Sequence, residues 1–479
     1  MKLKYSFLLF LVTLFFSITS CTKELERINK NPNATENAQP DYLLTAATKT
    51  AVDQYWGITR SSNPTSLFVQ QWAMIQYTDP DRYIFTNNDF QGVWTVSYLS
   101  IVNLNQVIKL ADGEKNPNYK GVALVLRSWI YTLLTDNFGD VPYKQSIKID
   151  QYLTPAYDPQ KEVYEGLLAD LKTAQAALDP NGKAIAGDII YNNNISLWKK
   201  FANSLRLRIA LRIADQEPET SKQVITDIQN EGGSFISNNS EIAKLAYFNS
   251  PNQNPISNYF DTRDDYRISK TIIDKLIQLQ DPRLSIYAAK TQTSTPAGYV
   301  GLPNGLLVGD ASNYGFSKTS KPGAYFLDPR APAVIFSYSE LLFDRAEAAA
   351  RGFTNDDAAD LYAQAIKASL KQYNISDAAT VTDYLAQASV QYDAANFKKS
   401  IGEQKWIALF GQGLEAFAEW RRLDYPQLSP AVAGVLEGKI PSRFIYPGTE
   451  QSLNGQNYKA AVANQGPDVL TTKLWFDVK

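Results

Sequence analysis

Residues 121–143 read GVALVLRSWIYTLLTDNFGDVPY, and the fold turns on how that stretch is read. Val122, Val125, Leu126, Trp129 and Leu133 recur at helical spacing, and Ala123, Ile130 and Leu134 fill a second stripe beside them. A helix apolar over most of its circumference belongs inside a core. It should stop near Asn137-Phe138-Gly139, because glycine tolerates the left-handed conformation that closes a helix. Val141 precedes Pro142, so the chain leaves in an extended form. The stretch is scaffold and holds no catalytic pattern.

Outward from this helix the same period recurs. Four helix pairs are expected: 92–111 with 121–137, 159–178 with 195–214, 337–351 with 356–372, and 395–410 with 413–424. Paired helices that cannot bury their faces alone stack as a short solenoid, so the fold class is mostly α. Two helices precede the first pair. One covers 41–56; the other is N-capped by Thr65 and carries Leu67, Phe68, Trp72 and Ile75. Trp94 and Tyr98 keep the helical period with Ile101 and Leu104 and read as core. Arg206, Arg208 and Arg212 give the 195–214 helix a basic side, which acidic residues on neighbouring helices are expected to pair.

The composition excludes several classes of function. The 479 residues are 44% hydrophobic and 20% charged, enough for a large core without staples. Net charge is −2 and no basic stripe is visible, so nucleic acid is not an expected partner. There is no histidine, which removes His-based triads, His general bases and His-ligated zinc. The single cysteine allows no intramolecular disulfide and no thiolate metal cluster. Its position explains it. Lys2 and Lys4 form a positive start, Tyr5 to Phe16 is apolar, and Thr19-Ser20 stands directly before Cys21. Residues 1–20 therefore read as a secretory signal with a lipoprotein-type cleavage site. The apolar run is shorter than the ~20 residues a membrane span needs. Residues 21–40 are polar and rich in Asn and Pro, a tether without a core. Length alone would divide the chain into about three domains.

Several motifs carry a family resemblance. They are Phe138-Gly139-Asp140-Val141-Pro142-Tyr143, Gln71-Trp72 with the loop from Tyr77 to Tyr83, and Trp198 to Arg208. Ile268-Ser269-Lys270 leading to Asp281-Pro282-Arg283-Leu284, and Glu340 to Ala348, match as well. Glu419-Trp420-Arg421-Arg422 with Tyr425-Pro426 is the most specific of them, and Arg443 to Pro447 and Lys473 to Asp477 fit too. Together they resemble the SusD/RagB family of nutrient-binding outer-membrane lipoproteins, over nearly all of 21–479. The resemblance implies that 41–479 form one domain despite the length, with tetratricopeptide-like helix pairs as a convex scaffold and loop-rich insertions building the ligand face. It implies a lipid anchor on Cys21, acylated on sulfur and nitrogen, and exposure at the cell surface. It implies no catalysis and no cofactor. It also implies capture of an oligomeric nutrient, usually a glycan and in some members a peptide, for a SusC-type TonB-dependent transporter.

The site is sought in the loops. Oligosaccharides are neutral, so their C–H faces stack on exposed rings while polar groups fix orientation. One aromatic loop runs from Tyr77 to about Phe90; the other lies within 291–332. Trp72, Tyr77, Tyr83, Tyr314 and Tyr325 are the expected platforms, with Asp81 and Arg82 as hydrogen-bond partners. The competing reading is an all-helical glycosidase using two carboxylates. Glu415 and Glu419 share a helix face, but Arg422 stands three residues from Glu419, and a structural ion pair is the expected use.

Overall fold

In this computed structural model the reading of 121–143 extends to a helix over Pro117–Phe138. Pro117 occupies its first turn and the Asn116 side chain accepts the Asn118 N–H, so both the start and the cap are written locally. From Asn118 onward only Lys120 reaches partial exposure. Gly139 ends the helix at φ +84°, where an added Cβ would lie 2.1 Å from Gln465 Oε1. Val141 then pairs with Asp158 in an isolated antiparallel bridge. The structure describes residues 38–478 apart from 60, 62, 147, 149 and 294–296. The signal, Cys21 and the tether up to residue 37 lie outside the described residues.

The principal helices are α1 (Pro40–Trp56), α2 (Gln91–Glu114), α3 (Pro117–Phe138), α4 (Gln160–Ala177), α5 (Ile195–Arg212) and α6 (Pro218–Asn230). After them come α7 (Val308–Tyr314), α8 (Tyr338–Ala350), α9 (Ala358–Gln372), α10 (Phe397–Ala408) and α11 (Gly413–Leu423). The four expected pairs, α2 with α3, α4 with α5, α8 with α9 and α10 with α11, all pack against each other. Two residues join α2 to α3, which forces them to lie as antiparallel neighbours. Successive pairs also touch: α3 packs on α4, and α8 on α10. Four short strands join distant loops. β1 (Trp72–Met74) pairs antiparallel with β3 (Tyr266–Ile268), Trp72 opposite Ile268. β2 (Ala243–Leu245) pairs antiparallel with β4 (Ala333–Phe336).

Charge is buried where five helices meet. Arg212 of α5 pairs with Asp136 of α3 at 3.2 Å, with Glu415 of α11 at 2.6 Å, and with Glu419. Arg208 pairs with Glu340 of α8 at 2.5 Å. Lys405 of α10 joins Asp344 to Glu419, the latter at 2.8 Å. Arg422 holds Glu347 at 2.6 Å and Glu419 at 2.7 Å. Arg206 pairs with Glu231 at 2.6 Å. The expected pairing of the α5 arginines is therefore met. Burial raises Glu340 to about 8 although Arg208 opposes it. The same desolvation brings Asp344 to about 6.

Candidate ligand-binding cleft

Trp72 is not on a helix. The helix that begins at Thr65 ends at Phe68, and Gln70 adopts a left-handed φ of +53°. The i, i+4 spacing of Phe68 and Trp72 thus spans a break, and Trp72 enters β1. Its ring is fully buried, stacked on Phe410 with centroids 5.7 Å apart and edge-on to Tyr266. A ring enclosed on these sides cannot serve as a platform, which corrects the expectation for Trp72. Tyr83 is corrected in the same way. It lies buried against Phe68, and its hydroxyl accepts the Ala431 N–H at 3.2 Å.

Asp81 is also buried, and its carboxylate accepts N–H groups of Met74, Asn304 and Gly305 rather than facing solvent. Arg82 reaches the Ala433 carbonyl with Nε at 3.0 Å and stands 3.8 Å from Asp79. Tyr325 packs edge-on to Phe326 and Tyr373, and burial pushes its hydroxyl up to about 12. It belongs to the core margin. Tyr314 ends α7 and is 37% exposed. Tyr77 is 59% exposed, in a left-handed conformation at φ +54°, three residues after the end of β1.

Of the seven residues, Tyr77 alone lines a cleft of about 530 Å³. The cleft's other contributors include Thr59, Asp79, Tyr259, Arg263 and Val308. The Arg263 guanidinium carbon lies 5.0 Å from the centre of the Tyr77 ring and 5.9 Å from that of Tyr259. Asp265 fixes this arrangement. It accepts Arg263 Nε and Nη2 at 3.2 Å each, and the Tyr259 hydroxyl at 2.7 Å. Two flat rings with a guanidinium between them, beside a threonine and a carboxylate, offer stacking faces and orienting groups together. Tyr259 and Arg263 are absent from the sequence-based expectation. Their signal was present in NYFDTRDDYR at 258–267, where aromatic and charged residues alternate as they do between Tyr77 and Tyr83.

A second cleft of about 570 Å³ lies along α2, lined by Trp94, Tyr98, Leu99, Val102, Leu153 and Leu453 among others. Leu99, Val102, Leu153 and Leu453 are all exposed there. Trp94 is buried and the Tyr98 hydroxyl donates to the Pro142 carbonyl at 2.8 Å, so neither ring offers a free face with a free polar tip. The Glu415 and Glu419 carboxylates are buried among Arg208, Arg212, Lys405 and Arg422, out of reach of any cleft substrate. Among the described residues, no group of three or more acidic or cysteine side chains could hold a metal ion, and no helix is long and apolar enough to cross a membrane.

Comparison with known proteins places the chain. The profile of the SusD-like family described as "Starch-binding associating with outer membrane" matches residues 32–447. A chitin-binding protein of known structure is 26% identical, with a TM-score of 0.82, over 92% of this chain and 100% of its own. A SusD homologue from Bacteroides uniformis is 25% identical, with a TM-score of 0.81, over 91% and 100%. A chitin-binding SusD homologue from Flavobacterium johnsoniae is 24% identical and has a TM-score of 0.82 over 91% and 99%, a likeness of fold. No curated protein matches the chain.

Proposed function

Because this chain belongs to the SusD-like family, we propose that it captures an oligosaccharide at the Tyr77 cleft and delivers it to a SusC-type TonB-dependent transporter. In this reading residues 1–20 are removed, Cys21 carries the lipid, residues 21–40 form the tether, and 41–479 form one ligand-binding domain displayed on the cell surface. The observation that carries the reading is the exposed Tyr77 ring with the Arg263 guanidinium packed beneath it at the rim of a cleft. A pyranose face can stack on such a surface while Asp79 and Thr59 answer its hydroxyls. The charges around the cleft are already paired, Arg263 with Asp265 and Arg82 with Asp79, which suits a neutral ligand.

The protein acts by binding, without catalysis. Glu415 and Glu419, the carboxylates that share a helix face, serve as counter-ions inside the scaffold. A tethered binding protein whose described helices cannot cross a bilayer needs a partner to move its ligand inward. The family supplies that partner.

The test uses soluble protein beginning after Cys21, incubated with a saccharide panel. The panel includes starch-derived and chitin-derived oligomers, which the family description and the relatives' names suggest. Retention of one class without cleavage is expected. Cleavage, or retention of a peptide and no saccharide, would overturn the reading. Extraction of the native protein in mild detergent should bring a large β-barrel protein with it.

A further inference from the structure

Two segments more than two hundred residues apart meet at one carboxylate. Asp81 Oδ2 accepts the backbone N–H of Met74 at 3.1 Å and of Gly305 at 2.9 Å, and Oδ1 accepts Asn304 Nδ2 at 2.7 Å. Asn304 Nδ2 also donates to the Trp72 carbonyl at 2.7 Å, and Ser269 Oγ donates to Asn304 Oδ1 at 2.5 Å. Gly305 sits at φ +72°, where an added Cβ would lie 2.4 Å from that of Ala431. Ala73, Ile75, Leu302, Leu306 and Ala311 form a small apolar cluster, separate from the main core, that joins the same two segments. Tyr77 follows Met74 by three residues and Val308 follows Gly305 by three, and both line the cleft.

We propose that Asp81 is a positioning residue of the cleft, fixing the wall that carries Tyr77 against the wall that carries Val308 without touching ligand. This rests on the reading of the cleft as the ligand site. Three donors and no acceptor converge on Asp81, a demand that an ionised carboxylate meets and an amide of the same size does not. Asparagine there would turn its NH₂ toward at least one N–H and leave that donor buried and unanswered. Burial raises Asp81 to about 7 against the three hydrogen bonds that lower it, so at pH 8 it is the ionised carboxylate that meets the three donors. The titratable and charged groups facing it are Tyr83 and Tyr266, with the Asp79–Arg82 pair on its own turn. The chain has no histidine to titrate beside it.

Asp81→Asn tests the proposal by hydrogen exchange read near pH 8, with intrinsic rates corrected. Amides of 72–83 and 302–314 should exchange together about tenfold faster in the variant, while those of α5 stay unchanged. Binding is measured with maltohexaose and chitohexaose. For whichever the wild type holds, the variant should bind about fivefold to tenfold more weakly. Loosening of 72–83 with none in 302–314, or unchanged affinity, would each overturn the proposal. If wild type holds neither sugar, the binding reading is what suffers, and exchange alone decides on Asp81. Should Asp81→Asn fail to fold, Asn304→Ala removes one of the three bonds and carries the same expectation at smaller size.

Discussion

Arg212 and Arg263 both stand beside carboxylates and aromatic rings, and the surroundings give them opposite uses. Arg212 is buried among Asp136, Glu415 and Glu419, with the Phe476 ring 5.8 Å away. Arg263 has a side chain 48% exposed, one carboxylate partner in Asp265, and two rings that present faces to a cleft. Trp72 and Tyr77 make the same contrast in aromatics five residues apart, one sealed under Phe410 and the other at a rim. Residue type does not separate scaffold from site here. The number of elements packed around the side chain does.

The comparison breaks first, and hardest, at the scaffold. Arg212→Ala leaves three buried carboxylates without their shared cation, and a loss of about 3–5 kcal/mol in denaturant unfolding is expected. Trp72→Ala belongs to the same class, with about 3–5 kcal/mol lost from the cavity it leaves. For Arg212→Ala, saccharide binding should fall only in proportion to unfolded protein. Persistence of full stability in both would mean that these groups are not the support the geometry describes. Tyr77→Ala should do the reverse. Calorimetry should show about 2 kcal/mol less binding energy, with the melting temperature near that of wild type.

That contrast marks how far the sequence could be read. The helix pairs were legible because each carries enough apolar residues to show the 3.6 period. β1 was not, because three residues are too few to show alternation and Phe68 to Trp72 mimics a helical step. Tyr77 was legible as an exposed loop aromatic, and Tyr314 as exposed, though it ends the short helix α7 rather than standing in a loop. The burial of Asp81 and Tyr83 was not, since it depends on 304–305 and 431, more than two hundred residues away in the chain. Tyr259 and Arg263 announced themselves only through a short polar-aromatic run with no helical or strand period to single it out.

Two smaller effects sharpen the boundary. Glu340 holds a proton in the fold between its ordinary value of 4.5 and about 8, a window in which the unfolded chain has lost it. Stability must therefore fall as pH rises through that window, and the slope contributed by Glu340 should vanish in Glu340→Gln. At neutral pH that variant should stay within about 1 kcal/mol of wild type, since an amide replaces a carboxyl that is already neutral. A larger loss would show that Glu340 is ionised against Arg208. Leu153 is 95% exposed on the α2 groove, so Leu153→Ser should change stability by no more than about 0.5 kcal/mol. It should also leave saccharide affinity untouched, and weaker binding would show that the groove contributes to the site.

The five-residue apolar cluster of Ala73, Ile75, Leu302, Leu306 and Ala311 has a consequence for how such a protein can diversify. Its residues root the segments that end in Tyr77, Val308 and Tyr314, while the ionic network lies among the helices with a separate set of partners. Distant sites without shared partners contribute to stability independently. A lineage can therefore rewrite the rim of the cleft, trading one sugar for another, while the helical frame inherits none of the change.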